Sequence, residues 1–408
     1  MKKMLLGGVV STCVVGLLGV SFLATSKEPE PEVAVDKAVV PPVPVAEEEI
    51  APPVVLAPAE GAEHCATPEG QLVRCHLLID CGPGPKGIAF SPDSQTVWVS
   101  ILNETPSVEV YAVSNGEKLK TITLGKDGAV EVVFSHDGQT AFVSQMQTDS
   151  VYEIDATTYE VRKQHTSGNR WTKVIAESRD GRFLYSSGWI SGTVSVLDRT
   201  GELPTKSIRV AKTPRGLYLS PDEAWLYVAS FGSGKLQRIN TQTHRVENVY
   251  QGGVLRHLVG DAQGEQVFVS DMRRGRVVRH DIASKATKDL ARTDANPNTI
   301  DLTPDGKVLA VSCRGRNNPK SYHMKGPEFG SVLLFDTQTG RKLDGIVAGN
   351  QPTGLDVSPD GKWLATTDLL DARVRLYALP ESAVLVDGDG GRADVYKAEM
   401  RKKGSWSQ

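Results

Sequence analysis

One phrase occurs seven times in this chain, and no other property of the sequence constrains its fold as tightly. It consists of an apolar strand, a turn of the Ser-Pro-Asp-Gly type, a second apolar strand, a polar loop, a third strand ending in Asp, and a fourth strand. The turn and second strand read SPDSQTVWVS at 91–100, SHDGQTAFVS at 135–144, SRDGRFLYSS at 178–187 and SPDEAWLYVAS at 220–230. DAQGEQVFVS at 261–270, TPDGKVLAVS at 303–312 and SPDGKWLATT at 358–367 complete the set. The spacing is a little over forty residues, lengthened only between the sixth and seventh copies, which is the period of a four-stranded propeller blade. Pro and Asp open a tight turn and Gly supplies the positive φ that closes it. Alternation such as Val97-Trp98-Val99 turns successive side chains toward opposite neighbours. The predicted fold is all-β, a seven-bladed β-propeller of four-stranded antiparallel blades.

The seventh copy stops after its third strand, RVRLYAL near residue 379, and lacks a fourth. Residues 71–80, QLVRCHLLID, form an orphan strand ahead of the first blade, so this segment is expected to complete the last blade and close the ring, removing an open edge. The propeller is thereby assigned to 64–380, and the tail at 381–408 is read as flexible. Residues 27–63 are rich in Pro, Val, Ala and Glu and read as an extended stalk, up to roughly 100 Å long in polyproline-II geometry. Residues 1–26 carry Lys2 and Lys3 before an uncharged run at 4–25, long enough to cross a bilayer core of about 30 Å.

The positive-inside rule then puts the propeller on the periplasmic face of a bacterial inner membrane. Ala24-Thr25-Ser26 keeps a cleaved signal peptide, and hence a secreted periplasmic protein, as the alternative. Cys13 lies inside the apolar run with more apolar chain beyond it, which argues against lipidation. Export exposes the remaining cysteines to an oxidising compartment. Cys75 and Cys81 on one strand are about 20 Å apart and cannot pair with each other. Cys65 with Cys75 or Cys81 is the expected disulfide, with free buried thiols as the other reading.

Phrases such as PRGLYLSPDEAWLYVASFGSGKLQRIN at 214–240 and QPTGLDVSPDGKWLATTDLLDARVRLY at 351–377 resemble the YVTN-type, YncE-like propeller repeats of bacteria. The resemblance covers roughly residues 71–380. It implies an extracytoplasmic propeller, usually without catalysis. The broader superfamily also resembles lactonases and cofactor-bearing dehydrogenase subunits, so the fold alone selects no function.

Aligning the copies on their turns isolates one position near the start of each innermost strand: Lys86, Val130, Lys173, Arg215, Arg256, Asn298 and Thr353. Innermost strands line the axial channel, so these residues should form a ring at one mouth, with four cations and a single apolar member. The loops joining second and third strands should border the same mouth. They contribute Trp189, Phe231, Arg273 and, from the long insertion RGRNNPKSYHMKGPEFGS, Arg314. Guanidiniums bind carboxylate or phosphate bidentately and aromatic faces stack on planar groups, so the set suits an anionic small molecule, a glycan or a protein partner, with single-stranded nucleic acid less well matched. Solvated strand-start cations and packed loop aromatics are the plainer alternative. The formal net charge of −3 excludes a polyelectrolyte partner bound through bulk charge.

Catalytic constellations are weak. His257 at the channel mouth and Glu131 at the matching position of blade two lack the further ligands a metal needs. Asp301 and Asp356, in mid-strand, complete the acid–base groups a lactonase-like or lyase-like site would have to use, and cross-strand hydrogen bonding explains them equally well. No P-loop, nucleophile elbow or dinucleotide fingerprint occurs. The remaining Ser and Asp residues are assigned to turns. A monomeric, membrane-tethered binding or scaffolding propeller without a cofactor is therefore expected, with the enzyme, or an accessory subunit docking a periplasmic electron-transfer partner, as alternatives.

Overall fold

The computed structural model describes residues 57–103, 105, 107–388 and 394–402. Seven antiparallel sheets form the seven-bladed propeller, six of four strands and one of five. The expected turn chemistry is explicit: Ser91 Oγ donates to Asp93 Oδ1 at 2.5 Å, and the same bond recurs at Ser135–Asp137, Ser178–Asp180, Ser220–Asp222, Thr303–Asp305 and Ser358–Asp360. Each blade is buried on both faces, which is why its strands read as nearly continuous apolar runs. Val97, Val99 and Ile101 pack with Leu376, Val374 and Ala365 of blade seven, whereas Trp98 between them packs with Ala141 and Val143 of blade two.

Ring closure follows the expected route. Strand β1 (Ala62–His64) lies outside strand β2 (Arg74–Asp80), and β2 pairs with Arg373–Ala378, the third strand of the last blade. Val73, Leu77 and Ile79 are buried at 0–1 % exposure. Asp344 Oδ2 accepts from the amides of Leu72 and Val73 at 2.9 Å each, locking the closing segment onto blade six.

Three boundaries differ from the sequence reading. Residues 57–63, assigned to the stalk, enter the propeller through β1 as a fifth strand on its last blade. The closing strand begins at Arg74, with 71–73 running beside blade six. The tail assigned as flexible instead docks in the two stretches described: helix α1 (Ser382–Asp387) buries Leu385, and helix α2 (Tyr396–Lys402) buries Tyr396, whose hydroxyl donates to Asp294 Oδ2 at 2.6 Å. Cys65 is bonded to Cys75, with Cα atoms 5.5 Å apart, and Cys81 and Cys313 are free. The apolar run at 4–25 and the remaining stalk lie outside the described residues. No helix among the described residues is long and apolar enough to cross a membrane.

Candidate functional site

The ring residues are aimed by a repeated backbone irregularity. In six blades the pairing between first and second strands slips by one residue at the ring position, for example between Thr172 and Ile175 or between Leu255 and Leu258. Such bulges redirect one side chain out of the ladder, here toward the axis. Blade two is regular from Glu131 onward, and its ring position is the apolar Val130. The residue preceding the inner strand is left-handed in five blades: Gly84, Trp171, Thr213, Asn296 and Gln351. A tryptophan at φ 59° and a β-branched threonine at φ 53° hold costly conformations, the kind of strain that clusters at functional sites.

The carbonyls of these preceding residues tie down the loops above. Trp189, Phe231, Arg314 and Leu102 donate their amides to Trp171, Thr213, Asn296 and Gly84 at 2.8–3.1 Å, and Met272 donates to Val254 at 2.8 Å. These loop residues therefore occupy equivalent stations around the mouth. Met272, and not Arg273, fills the station of blade five: Arg273 is exposed on the 3-10 turn Met272–Arg274, where the Asp271 side chain accepts from the Arg274 amide. Trp189 and Phe231 do meet, with ring centroids 5.0 Å apart.

The cationic ring lies deeper than the mouth where it was expected. Lys173 is 8 % exposed, and Arg215 and Arg256 are 5 % exposed. Burial, reinforced by Arg215 and Arg256, pulls the Lys173 ammonium down to about 6. Burial and four cationic neighbours, Arg256 first among them, take Lys86 well below the usual lysine range. Burial also lowers Arg215 and Arg256, and brings Arg314 down to about 10. Guanidiniums keep their proton at neutral pH regardless, so the lysines yield first. Glu131 is a carboxylate that all four ring cations face, and burial raises it against their pull.

Lys173 has soft company: its Nζ contacts Met146 Sδ and lies 5.4 Å and 5.7 Å from the ring centroids of Trp171 and Trp189. Arg256 Nε donates to Asn298 Oδ1, and Arg314 Nη2 donates to Gln351 Oε1. Five buried guanidinium nitrogens among the described residues have no hydrogen-bond partner, and three of them belong to the ring and its rim: Arg215 Nε, Arg256 Nη2 and Arg314 Nε, the others being Arg182 Nε and Arg276 Nε. A buried donor without an acceptor carries a penalty of about 1–3 kcal/mol, more when charged, which an anion on the axis would relieve.

Asn298 and Thr353, both proposed as ligand contacts, are instead braces. Asn298 Nδ2 donates to the carbonyls of Pro352 and Thr353 at 3.2 and 3.1 Å, and Thr353 Oγ1 reaches Lys86 O at 3.2 Å. Beyond the ring a cavity of about 310 Å³ is lined by Glu131, His257, Asp301 and Asp356 among apolar residues including Phe90, Phe134 and Leu355. Asp301 Oδ2 accepts from Val357 N at 2.9 Å and Asp356 Oδ2 from Phe90 N at 2.7 Å, so each carboxyl clasps the inner strand of the next blade. Burial raises both, Asp301 to about 6 and Asp356 further because Asp301 adjoins it. Burial, with Arg215 and Arg256, takes His257 down to about 3, and its Nδ1 lies 3.1 Å from Ile300 O. The four acid–base candidates thus share one cavity, with the two aspartates engaged as fasteners.

One layer escaped the sequence reading. The last residue of every repeat phrase, Ser100, Ser144, Ser187, Ser230, Ser270, Ser312 or Thr367, is fully buried, not a turn residue. Ser100, Ser144, Ser187 and Ser270 each donate to the ring-residue carbonyl of the following blade, at 2.9, 2.5, 2.9 and 2.7 Å. The signal is present as a small hydroxyl at the end of the apolar strand in every copy, nine or ten residues past the residue that opens the turn. Ser230 Oγ alone of the seven has no partner. Replacing Ser100 by Ala is expected to cost about 1–2 kcal/mol in urea unfolding, and replacing Ser230 by Ala close to nothing. Equal costs would show that the hydroxyls do not fasten the blades.

Comparison with known proteins places these features in context. Antigen Lp49 from Leptospira interrogans serogroup Icterohaemorrhagiae serovar copenhageni (strain Fiocruz L1-130) is 33 % identical over 322 residues, covering 76 % of this chain and 70 % of the antigen. A chain of Kuenenia stuttgartiensis Hydrazine Synthase superposes with a TM-score of 0.57 at 23 % identity, over 66 % of this chain and 82 % of its own length. At that identity the likeness is one of fold alone. No family model matches the sequence.

Proposed function

The chain belongs to the family of the leptospiral antigen Lp49, and from that premise we propose that it is a binding propeller whose channel takes up an anionic group, carried on YVTN-type repeats and held outside the cytoplasmic membrane by residues 4–25. The observation that carries the reading is the set of unpartnered buried nitrogens on Arg215, Arg256 and Arg314, with Glu131 the opposing carboxylate that Arg215 and Arg256 face. Uncompensated buried charge destabilises a fold and persists where a ligand completes it. A cationic well inside low-dielectric walls also draws anions toward the opening.

Calorimetric titration of the full chain with sodium sulfate tests the proposal. The wild type is expected to bind, and the double variant Arg215→Gln, Arg256→Gln to bind at least tenfold more weakly. Because the substitutions relieve repulsion, the variant should unfold at an equal or higher temperature, so weak binding would not reflect a damaged fold. Failure of the wild type to bind sulfate or a dicarboxylate such as succinate would overturn the reading.

A further inference from the structure

We propose that the channel mouth is a docking surface for a protein partner that lowers an acidic side chain, flanked by apolar ones, into the cationic well. The inference rests on the anion-binding reading above and adds the class of ligand. Nine large hydrophobic side chains are strongly exposed among the described residues, and four of them stand on the loops around this one opening: Trp171 at 43 %, Ile190 at 44 %, Met324 at 46 % and Tyr322 at 52 %. Trp171 precedes the inner strand of blade three, and Ile190 is anchored above it through its amide on Arg170 O at 3.1 Å.

Tyr322 and Met324 belong to the blade-six insertion. That insertion leans onto blade seven, where the Tyr322 carbonyl accepts from Gln351 Nε2 and Lys325 Nζ pairs with Asp371 at 3.2 Å. Blades three and six are three steps apart in a ring of seven, so the two apolar groups stand nearly opposite each other across the axis.

A sunken charged centre encircled by half-exposed aromatic and aliphatic side chains has the anatomy of a protein-binding hot spot, in which apolar contacts exclude water from a central polar anchor. The other ligand classes fit less well. A glycan would use the aromatic faces but has no use for Ile190 or Met324. Single-stranded nucleic acid needs cations strung along a groove to follow its phosphates, whereas Arg215 and Arg256 occupy the same buried position on the inner strands of two adjacent blades. A small molecule is best held by enclosing walls, yet these four residues project from three loops, and the axial cavity lies beyond the ring beside Glu131 and His257. Charge complementarity then selects an acidic anchor, and the rim selects its apolar neighbours.

The test uses the full chain and four probes: an acetylated, amidated peptide of sequence Gly-Leu-Phe-Glu-Glu-Phe-Leu-Gly, its Gln-for-Glu analogue, an acidic peptide flanked only by glycine, and sulfate. The first peptide is expected to bind at least tenfold more tightly than either control peptide. Ile190→Ser with Met324→Ser, two exposed changes that remove none of the cations, should weaken it about tenfold and leave sulfate affinity unchanged. Sulfate binding without any preference for the apolar-flanked peptide, or peptide affinity indifferent to the rim variant, overturns the docking surface and leaves the anion site standing. A sulfated oligosaccharide or oligothymidylate that binds more tightly than the peptide overturns the partner class. Absence of binding by sulfate and peptide alike removes the anion site and the docking surface with it.

Discussion

Sulfate binding should draw protons into the protein at pH 7, and its affinity should fall about tenfold for each pH unit above 6. The Lys173 amine is held down to about 6 by burial and by Arg215 and Arg256, so at neutral pH it is mostly uncharged. An anion on the axis reverses that balance, and the indole faces of Trp171 and Trp189 favour the incoming ammonium as well. Between the free and bound values one proton enters per anion, which sets the slope. Below about 6 the amine is already charged and affinity should level off. Lys86, shifted in the same direction, would steepen the dependence.

The same shift has a sign in stability. Between about 6 and the ordinary lysine value of 10.5, the unfolded chain holds a proton on Lys173 that the folded chain does not. Stability from this residue therefore rises with pH across that window, by ~1.4 kcal/mol per unit at most. Lys173→Met should flatten both dependences, raising the unfolding temperature at pH 6 while reducing sulfate affinity. Titrations in two buffers of different ionisation enthalpy read the proton count directly, and an affinity constant from pH 6 to pH 8 would contradict the account.

A chain shortened to begin at residue 82 should fail to form a cooperative propeller. It loses β1 and β2, and with them the full ladder on Arg373–Ala378 and the fully buried Leu77 and Ile79. Asp344 Oδ2 would lose both amides it accepts from, leaving a buried carboxylate held only by Gly345 N on its other oxygen. The exposed edge of the last blade would invite pairing between molecules. Size-exclusion chromatography and near-ultraviolet circular dichroism should report aggregated, loosely packed material. Leu77→Ala in the intact chain, by contrast, should cost about 2–5 kcal/mol and keep the fold. A monomeric shortened chain with a sharp unfolding transition would show that the ring closes without its N-terminal strand.

The propeller was legible because its blades repeat: a turn motif that recurs seven times declares the period, and the missing fourth strand of the last copy points to 71–80. The ring positions were legible for the same reason. Their depth was not, because it depends on the bulge at each inner strand and on seven blades converging, neither of which leaves a composition signal. Ser100 and its equivalents do not stand out in the sequence, since a hydroxyl at a strand end looks like the start of a turn. The roles of Asn298 and Thr353 as braces appear only once blades six, seven and one are neighbours. The docking of Leu385 and Tyr396 is likewise a tertiary event, invisible in a short Gly- and Asp-rich stretch.

The disulfide between Cys65 and Cys75 has a mechanical meaning. A pull applied from the N-terminal side reaches β1 first and can strip its three residues from the sheet one by one. It then arrives at Cys65, and the covalent link passes the tension straight to Cys75 near the start of β2, sparing the loop between them. From there the load meets a strand hydrogen-bonded along its length to Arg373–Ala378. The outer strand thus behaves as a sacrificial layer over a riveted one. In an oxidised molecule the force–extension trace should show a short initial yield before the ring opens, and under reductant that yield should lengthen by the span of the released loop.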